Sequence, residues 1–393
     1  MPKLSVKDLP IKGKKIFLRV DFNVPLDENQ NITDDTRIKE SLPTIEYILQ
    51  NGSIPIIASH LGRPKGKVDP KQSLRPAAIR LGEFLKRGVK FAPDCVGPEV
   101  KKIVDSLKPG DVLLLENLRF HPEEEKNDPN FAKELASLAE IYIDDAFGSA
   151  HRAHASVEAI AHYFEYPACG FLMEKELKYL EGALRNPQRP LLAVIGGAKV
   201  STKIGVLKNL LDKVDNLVIG GGMCFTFYKA NGLDIGKSLC EDEFLTEAIG
   251  ILNNPKVYLP VDVVIATDIK SATPTKNVDV KTIFQDHYGV DIGEKSISQI
   301  GNLIKKAKTI VWNGPMGIFE IDAYAKGTEA IAKAVADATT KGAISIVGGG
   351  DSVAALEKFN LKSKISHVST GGGASLEYLE GKELPGVKVL KDK

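Results

Sequence analysis

The sequence predicts an α/β protein of two doubly wound, Rossmann-like parallel-sheet domains joined by a hinge helix. Three observations carry that expectation. Short apolar runs, too continuous for half-exposed strands, alternate with amphipathic segments along the chain. At 393 residues the chain is too long for one ordinary core. The residues that follow the apolar runs also change character, from arginine and histidine in the first half to glycine in the second.

In the first half the clearest expected strands are 16–20, 54–58, 112–115 and 141–143. Helices are expected at 43–50, 74–86 and 130–140, with Pro43 and Pro76 near their starts, where proline is tolerated. In an open parallel sheet, ligands bind outside the carboxyl ends of the strands. His60, Arg63, Arg119 and Arg152 all follow expected strands, so they can converge on one crevice, with Arg37 joining from the loop after Asp34-Asp35-Thr36. Any one of these arginines could be ordinary surface charge. Four in one layer are harder to dismiss, because a guanidinium donates two parallel hydrogen bonds to carboxylate or phosphate. Such a cluster repels itself until a polyanion arrives, so the expected ligand is small and multiply negative. His60, His151 and His154 do not read as a zinc site, since no cysteines or well-spaced carboxylates complete the set. His154 is assigned to structure.

The stretch 171–203 links the two halves. Leu172, Leu177, Leu180 and Leu184 recur at helical spacing, and Asn186-Pro187 ends that helix. The run 191–195 then breaks into Gly196-Gly197-Ala198-Lys199, and a new helix begins with Lys203 in its early turns. A strand, then glycines, then a helix start with lysines would present backbone N–H groups and ammonium charge to a phosphate.

Three more strand ends run into glycine triplets: 217–219 into Gly220–Gly222, 344–347 into Gly348–Gly350, and 367–369 into Gly371–Gly373. Strands are also expected at 261–266 and 308–312, the latter ending in Asn313-Gly314. One triplet is weak, since glycine also serves tight turns; three with Lys199 and Lys203 point to nucleotide phosphates. The common phosphate motifs are absent. Gly236-Lys237-Ser238 lacks the earlier glycine of a P-loop, and no dinucleotide fingerprint follows a strand. Asp351 is the candidate Mg²⁺ ligand, with a helix N-cap as its alternative role.

Composition excludes other classes. A net charge of +1 gives no global attraction to nucleic acid or anionic membrane. The N-terminal residues lack the apolar core of a signal peptide, and no run reaches membrane-spanning length. Cys95, Cys169, Cys224 and Cys240 show neither paired nor metal-type spacing, so free thiols in a reducing cytoplasm are expected. An arginine crevice in one half and a magnesium-nucleotide site in the other suggest a two-domain kinase that must close. No general base stands out, which suits a carboxylate acceptor that is already ionised.

The chain resembles the phosphoglycerate kinase family through RVDFNVP at 19–25, DDTRI at 34–38, SHLGRP at 59–64 and LLENLRF at 114–120. DAFGSAHRAHAS at 145–156, GGAKVSTK at 196–203, WNGPMGIFE at 312–320, GGGDS at 348–352 and GGGAS at 371–375 extend the match from about residue 4 to the end. The resemblance implies reversible phosphoryl transfer between 1,3-bisphosphoglycerate and ADP, giving 3-phosphoglycerate and ATP. It places 3-phosphoglycerate in the domain 1–170, with Asp21 and Asn23 on the glycerate and His60, Arg63, Arg119 and Arg152 on its phosphate. Arg37 would sit by the reacting carboxylate. Nucleotide would bind in 187–379, through Lys199, Lys203, Gly293, Asn313, Glu320, Gly349, Gly350 and Ser352, with Asp351 holding Mg²⁺. Arg37, Lys199 and the amides of Gly371, Gly372 and Gly373 would surround the transferring group. The segment 171–186 would be the hinge, and the tail 380–393 would pack on the first domain. A cytoplasmic monomer is implied. Ser352 replaces the family's usual threonine and keeps the hydroxyl, and Glu294 stands where proline is common. Two rival readings are an NAD-dependent dehydrogenase, which the missing fingerprint opposes, and an inactive binding protein of the same fold, which the intact motifs oppose.

Overall fold

Apolar runs buried on both faces form two separate parallel sheets in a computed structural model of the chain, which describes residues 2–393. Two units result. The first runs to Leu177 and takes back Glu383–Lys393, and the second is Lys178–Lys382. Their dividing point falls inside the helix Phe171–Arg185.

The first unit holds six strands: β1 (Lys15–Arg19), β2 (Ile54–Ala58), β3 (Lys90–Phe91), β4 (Leu113–Leu114), β5 (Ile141–Asp144) and β6 (Ala168–Cys169). They lie in the order β3-β4-β2-β1-β5-β6, every neighbour parallel. Leu18 of β1 stands opposite Ile57 and Ile143 in the buried centre. Because all strands run one way, the loops after β1, β2, β4 and β5 leave from the same edge. The tail belongs to this unit: Gly386 donates its backbone N–H to Ala150 O at 2.9 Å, and Leu4 N–H donates to Lys391 O at 2.8 Å.

Three expectations need correcting here. The first helix is Thr36–Gln50, so Pro43 lies inside it and Arg37 is its second residue rather than a loop residue. Proline 43 forfeits one ladder hydrogen bond, but Ile38, Ile45 and Ile48 bury the same face on both sides of it and carry the helix through. The helix expected to reach residue 140 is Pro129–Ala136, started by the Asp128 carboxylate on the Asn130 and Phe131 amides. The four-residue run at 112–115 pairs only at Leu113–Leu114.

The second unit has β7 (Leu191–Ile195), β8 (Asn216–Ile219), β9 (Val257–Tyr258), β10 (Asp262–Ala266), β11 (Lys276–Asp279), β12 (Tyr288–Ile292), β13 (Thr309–Asn313), β14 (Ile344–Gly348) and β15 (His367–Val368). Six of them form a parallel sheet in the order β15-β14-β13-β7-β8-β9. Val194 of β7 lies between Trp312 and Val218 in its core. The other three form a small antiparallel sheet, β11-β10-β12, over Phe225, Tyr228 and Val280. The run at 261–266 thus makes a strand, but not in the main sheet. A buried apolar run has no feature that reveals which sheet it will join.

Candidate functional site

At the edge of the first sheet, Arg19 is the hub. It is the last residue of β1 and wholly buried. Its Nε donates to Ser156 Oγ at 2.8 Å, its Nη1 donates to Val20 O, and its Nη2 lies 3.3 Å from His60 Nδ1. Asp21, two residues on, pairs with Arg37. Burial pushes the Asp21 carboxyl up, but Arg37 and Arg19, with the Asn23 N–H, outweigh it and hold the group at about 2. His60 is pushed well below its ordinary value by burial, with Arg19, Arg119 and Arg37 adding to the effect. It is therefore a neutral imidazole at neutral pH.

Asn117 fastens the neighbouring loops. Its Nδ2 donates to Leu61 O at 2.7 Å and Gln72 O at 2.8 Å, while its Oδ1 accepts from Leu61 N and Arg119 N. Arg119, 4 % exposed, then donates through Nη1 to Gly62 O at 2.8 Å. Its Nε has no hydrogen-bond partner among the described residues, with Glu125 Oε1 at 3.5 Å. Burial, Arg19 and Arg152 bring the Arg119 guanidinium down to about 10. Asn23 Oδ1 accepts the Gly62 N–H at 2.9 Å. Arg152 Nε reaches His151 Nε2 at 3.2 Å. Arg63 is exposed and makes no hydrogen bond or ion pair among the described residues, so it stays outside the bonded cluster.

Behind the arginines lies a carboxylate. Glu124, fully buried, accepts the Ser156 hydroxyl at 2.6 Å and the Ser156 N–H at 2.9 Å. Burial raises its pKa against the pull of Arg19. His154 Nδ1 is 3.9 Å from Glu124 Oε1, and burial with three arginines lowers the imidazole to about 3, in keeping with a structural role. Sequence reading passed over Arg19, Asn117, Glu124 and Ser156 as site residues. For Arg19 a signal existed: a strand ending in arginine places a guanidinium where few are buried without partners. Glu124, one of three consecutive glutamates, offered none.

In the second unit, the loops after β7 and β13, neighbours in the sheet, meet at the point where strand order reverses. Gly196 N–H donates to Asn313 O at 2.8 Å, and Gly197 N–H to Pro315 O at 3.0 Å. A Cβ on Gly196 would strike the Gly314 and Pro315 carbonyls. Gly221 (φ +70°) would put a Cβ 2.6 Å from the Gly197 backbone. The triplet 220–222, read from sequence as a phosphate loop, thus also packs loop against loop.

The polar centre of this crevice is Asn313, 1 % exposed. Lys203, the residue before the helix Ile204–Leu211, donates Nζ to Asn313 Oδ1. Asn313 Nδ2 has no hydrogen-bond partner among the described residues, and a Cβ on Gly349 (φ +91°) would lie 3.0 Å from it. Burial lowers the Lys203 ammonium, and Asp351 and Glu380 oppose that shift. Ser352 is buried, and its Oγ accepts the Gly314 N–H at 2.6 Å, so this hydroxyl braces the β13 loop. Gly349 precedes the helix Gly350–Lys358, which places Asp351 in its first turn rather than at its N-cap. Asp351 is exposed, and one carboxylate free to take a hard dication alongside phosphate oxygens fits what Mg²⁺ requires.

The remaining expected residues are more dispersed. Lys199 is exposed, makes no side-chain hydrogen bond or ion pair among the described residues, and acts on Glu241 through charge. Gly371 N–H donates to Ser369 Oγ at 3.1 Å, Gly372 turns at φ +50° in open space, and Gly373 begins the helix Gly373–Leu379. Glu320 is exposed, and its backbone carbonyl is 3.4 Å from Lys358 Nζ. Gly293 precedes the helix Glu294–Lys306, where a Cβ would strike the Asp262 carboxylate that accepts the Lys295 and Ser296 amides. That close approach requires a glycine here.

Comparison with known proteins places these motifs in context. The sequence profile described as phosphoglycerate kinase matches residues 6–382. A phosphoglycerate kinase of Chlorobaculum tepidum is 55% identical over 397 residues, covering 100% of both chains. A cytosolic phosphoglycerate kinase of Nicotiana tabacum is 56% identical and covers 99% of this chain and 98% of its own. The solved phosphoglycerate kinase of Coxiella burnetii superposes with a TM-score of 0.90 at 43% identity, covering 99% of this chain and 98% of that one.

Proposed function

This chain belongs to the phosphoglycerate kinase family, and on that premise we propose how its residues divide the work. The reaction is reversible phosphoryl transfer between 1,3-bisphosphoglycerate and ADP, yielding 3-phosphoglycerate and ATP. Its partners are therefore small molecules, and among the described residues no helix is long and apolar enough to cross a membrane.

In the proposed division, residues 1–170 with the tail 380–393 take 3-phosphoglycerate, 187–379 take the nucleotide, and 171–186 is the hinge. Arg119, Arg152, Arg63 and His60 hold the acceptor's phosphate, and Asp21 and Asn23 hold its glycerate. Neutral His60 donates or accepts a hydrogen bond without adding charge. Arg37 neutralises the reacting carboxylate. Lys203 and Asn313 hold nucleotide phosphates together with Gly349, Gly350 and Ser352, while Gly293 and Glu320 lie toward the nucleoside. Asp351 would hold Mg²⁺, which when bound neutralises charge on the phosphate oxygens. Lys199 and the amides of Gly371–Gly373 stabilise charge on the moving phosphoryl group. The acceptor is an anion, so no proton needs removing. Work in the cytoplasm as a monomer completes the proposal.

One observation carries the substrate assignment: the Arg119 guanidinium, depressed by burial and by its cationic neighbours, has an Nε without a hydrogen-bond partner among the described residues. A multiply charged anion would relieve that repulsion and satisfy the donor. The test is a coupled assay with ATP and 3-phosphoglycerate. Turnover that needs both, and no nicotinamide cofactor in the transfer step, is expected; absence of turnover in the folded protein would refute the reading.

A further inference from the structure

Away from the arginine crevice, the first unit gathers Asp94, Cys95 and His121. Asp94 and Cys95 follow β3, and His121 closes the Leu118–Phe120 turn after β4. β3 and β4 are parallel neighbours, so their following loops leave side by side. A carboxylate oxygen, the Cys95 Sγ and a His121 ring nitrogen all lie within 4.8 Å of one another.

The donors are fixed by their surroundings. Phe131 stacks on the His121 ring at 5.1 Å and 28°, leaving Nε2 2.6 Å from Asp94 Oδ1. Asp94 Oδ1 is oriented in turn by the Cys95 N–H at 2.6 Å. Cys95 is fully buried, while Asp94 and His121 are partly exposed, so the sulfur forms the floor and the other two the mouth. We propose that Asp94, Cys95 and His121 form a site for a thiophilic divalent cation of the Zn²⁺ class.

The donor set selects that class. Thiolate and imidazole suit Zn²⁺ and related ions, whereas Mg²⁺ takes oxygen ligands. On binding, the Cys95 thiol releases its proton to solvent, the proton that His121 Nε2 donates to Asp94 leaves that nitrogen for Nδ1 or for solvent, and thiolate plus carboxylate balance the two positive charges. The cation replaces the His121–Asp94 hydrogen bond with two metal–ligand bonds. Three protein ligands leave a fourth position for water at the exposed mouth. The bound ion ties the β3 loop to the segment that carries Arg119, two residues before His121.

The test titrates the full chain, stripped with chelator, with Cd²⁺ alone and follows thiolate-to-metal charge-transfer absorption; Zn²⁺ alone then competes for the same site. One equivalent should bind with the sulfur band. Cys95→Ser should abolish the band, and His121→Asn, which leaves the buried thiol in place, should weaken binding at least about 100-fold, the upper end of what outer-shell changes alone cause. Cys240→Ser removes the partly exposed thiol 3.0 Å from Asp242 and should change nothing. A wild-type protein with no sulfur band would overturn the proposal. So would a band that survives Cys95→Ser, binding that is undiminished in folded His121→Asn, or a band lost with Cys240→Ser.

Discussion

Arg19 and Glu124, both wholly buried, are joined through one serine. Arg19 Nε donates to Ser156 Oγ at 2.8 Å, and that hydroxyl donates to Glu124 Oε1 at 2.6 Å. The negative charge of Glu124 acts on Arg19 across this bridge, and a buried cation without such compensation is costly. Arg19 in turn helps keep Asp21 ionised and His60 neutral. The acceptor site therefore depends on a carboxylate that need not touch the acceptor.

Glu124→Ala should destabilise the protein by about 3 kcal/mol, as expected when one partner of a buried charge pair is removed. Urea denaturation would register this as a lower midpoint. A change within about 0.5 kcal/mol, typical of surface substitutions, would mean that Arg19 does not rely on Glu124.

Arg119→Ala should raise KM for 3-phosphoglycerate roughly 10- to 100-fold, the equivalent of one or two hydrogen bonds to a charged group. KM for ATP should hardly move. Loss of nucleotide affinity with the acceptor spared would show that the ligands had been assigned to the wrong units.

Lys199→Ala and Arg37→Ala should each cut kcat by about 100-fold or more while leaving nucleotide bound, since their charges count most as the phosphoryl group moves. Lys199→Arg should restore activity only in part, because a planar fork does not replace a compact ammonium. Steady-state kinetics alongside equilibrium ADP binding separates the two effects. Wild-type turnover in either alanine variant would remove that residue from the catalytic set.

Burial raises the Asp291 carboxyl to about 7, while Gly327 N–H at 2.6 Å and the Ile292 N–H act to lower it. The sign follows from linkage. Between about 4 and 7 the folded protein keeps a proton that the unfolded chain has lost, so the contribution is complete below the unfolded value and declines as pH rises through 7. Asp144 and Asp145, also raised to about 7 by burial, push the same way. Stability should thus fall from about pH 4 to about pH 7 and level off above it, and the slope should be shallower in Asp291→Asn. Equal slopes in chemical denaturation across that range would contradict this.

Much of the fold was legible because burial on both faces leaves a plain mark. The runs at β2 and β7 are apolar throughout, and the residues after them show which edge the loops occupy. The start of the first helix was less legible, since Pro43 resembles a beginning while Ile38 already packs in the core. Among candidate site residues, the arginines stood out through charge at strand ends. Gly221 and Gly293 were harder, because glycine looks the same whether it admits a phosphate, a neighbouring backbone or a capping aspartate.

By itself, then, the sequence determined the alternation of strand and helix, the two parallel sheets, the family, and the loops that carry its polar groups. These are local or periodic properties, written within a few residues of one another. Only the tertiary structure decided which polar groups meet. Arg19 and Ser156 stand 137 positions apart, and Lys203 and Asn313 stand 110 apart. The run 262–266 entered a small antiparallel sheet instead of the large parallel one. Such pairings follow from sheet order and loop direction, and no spacing along the chain encodes them.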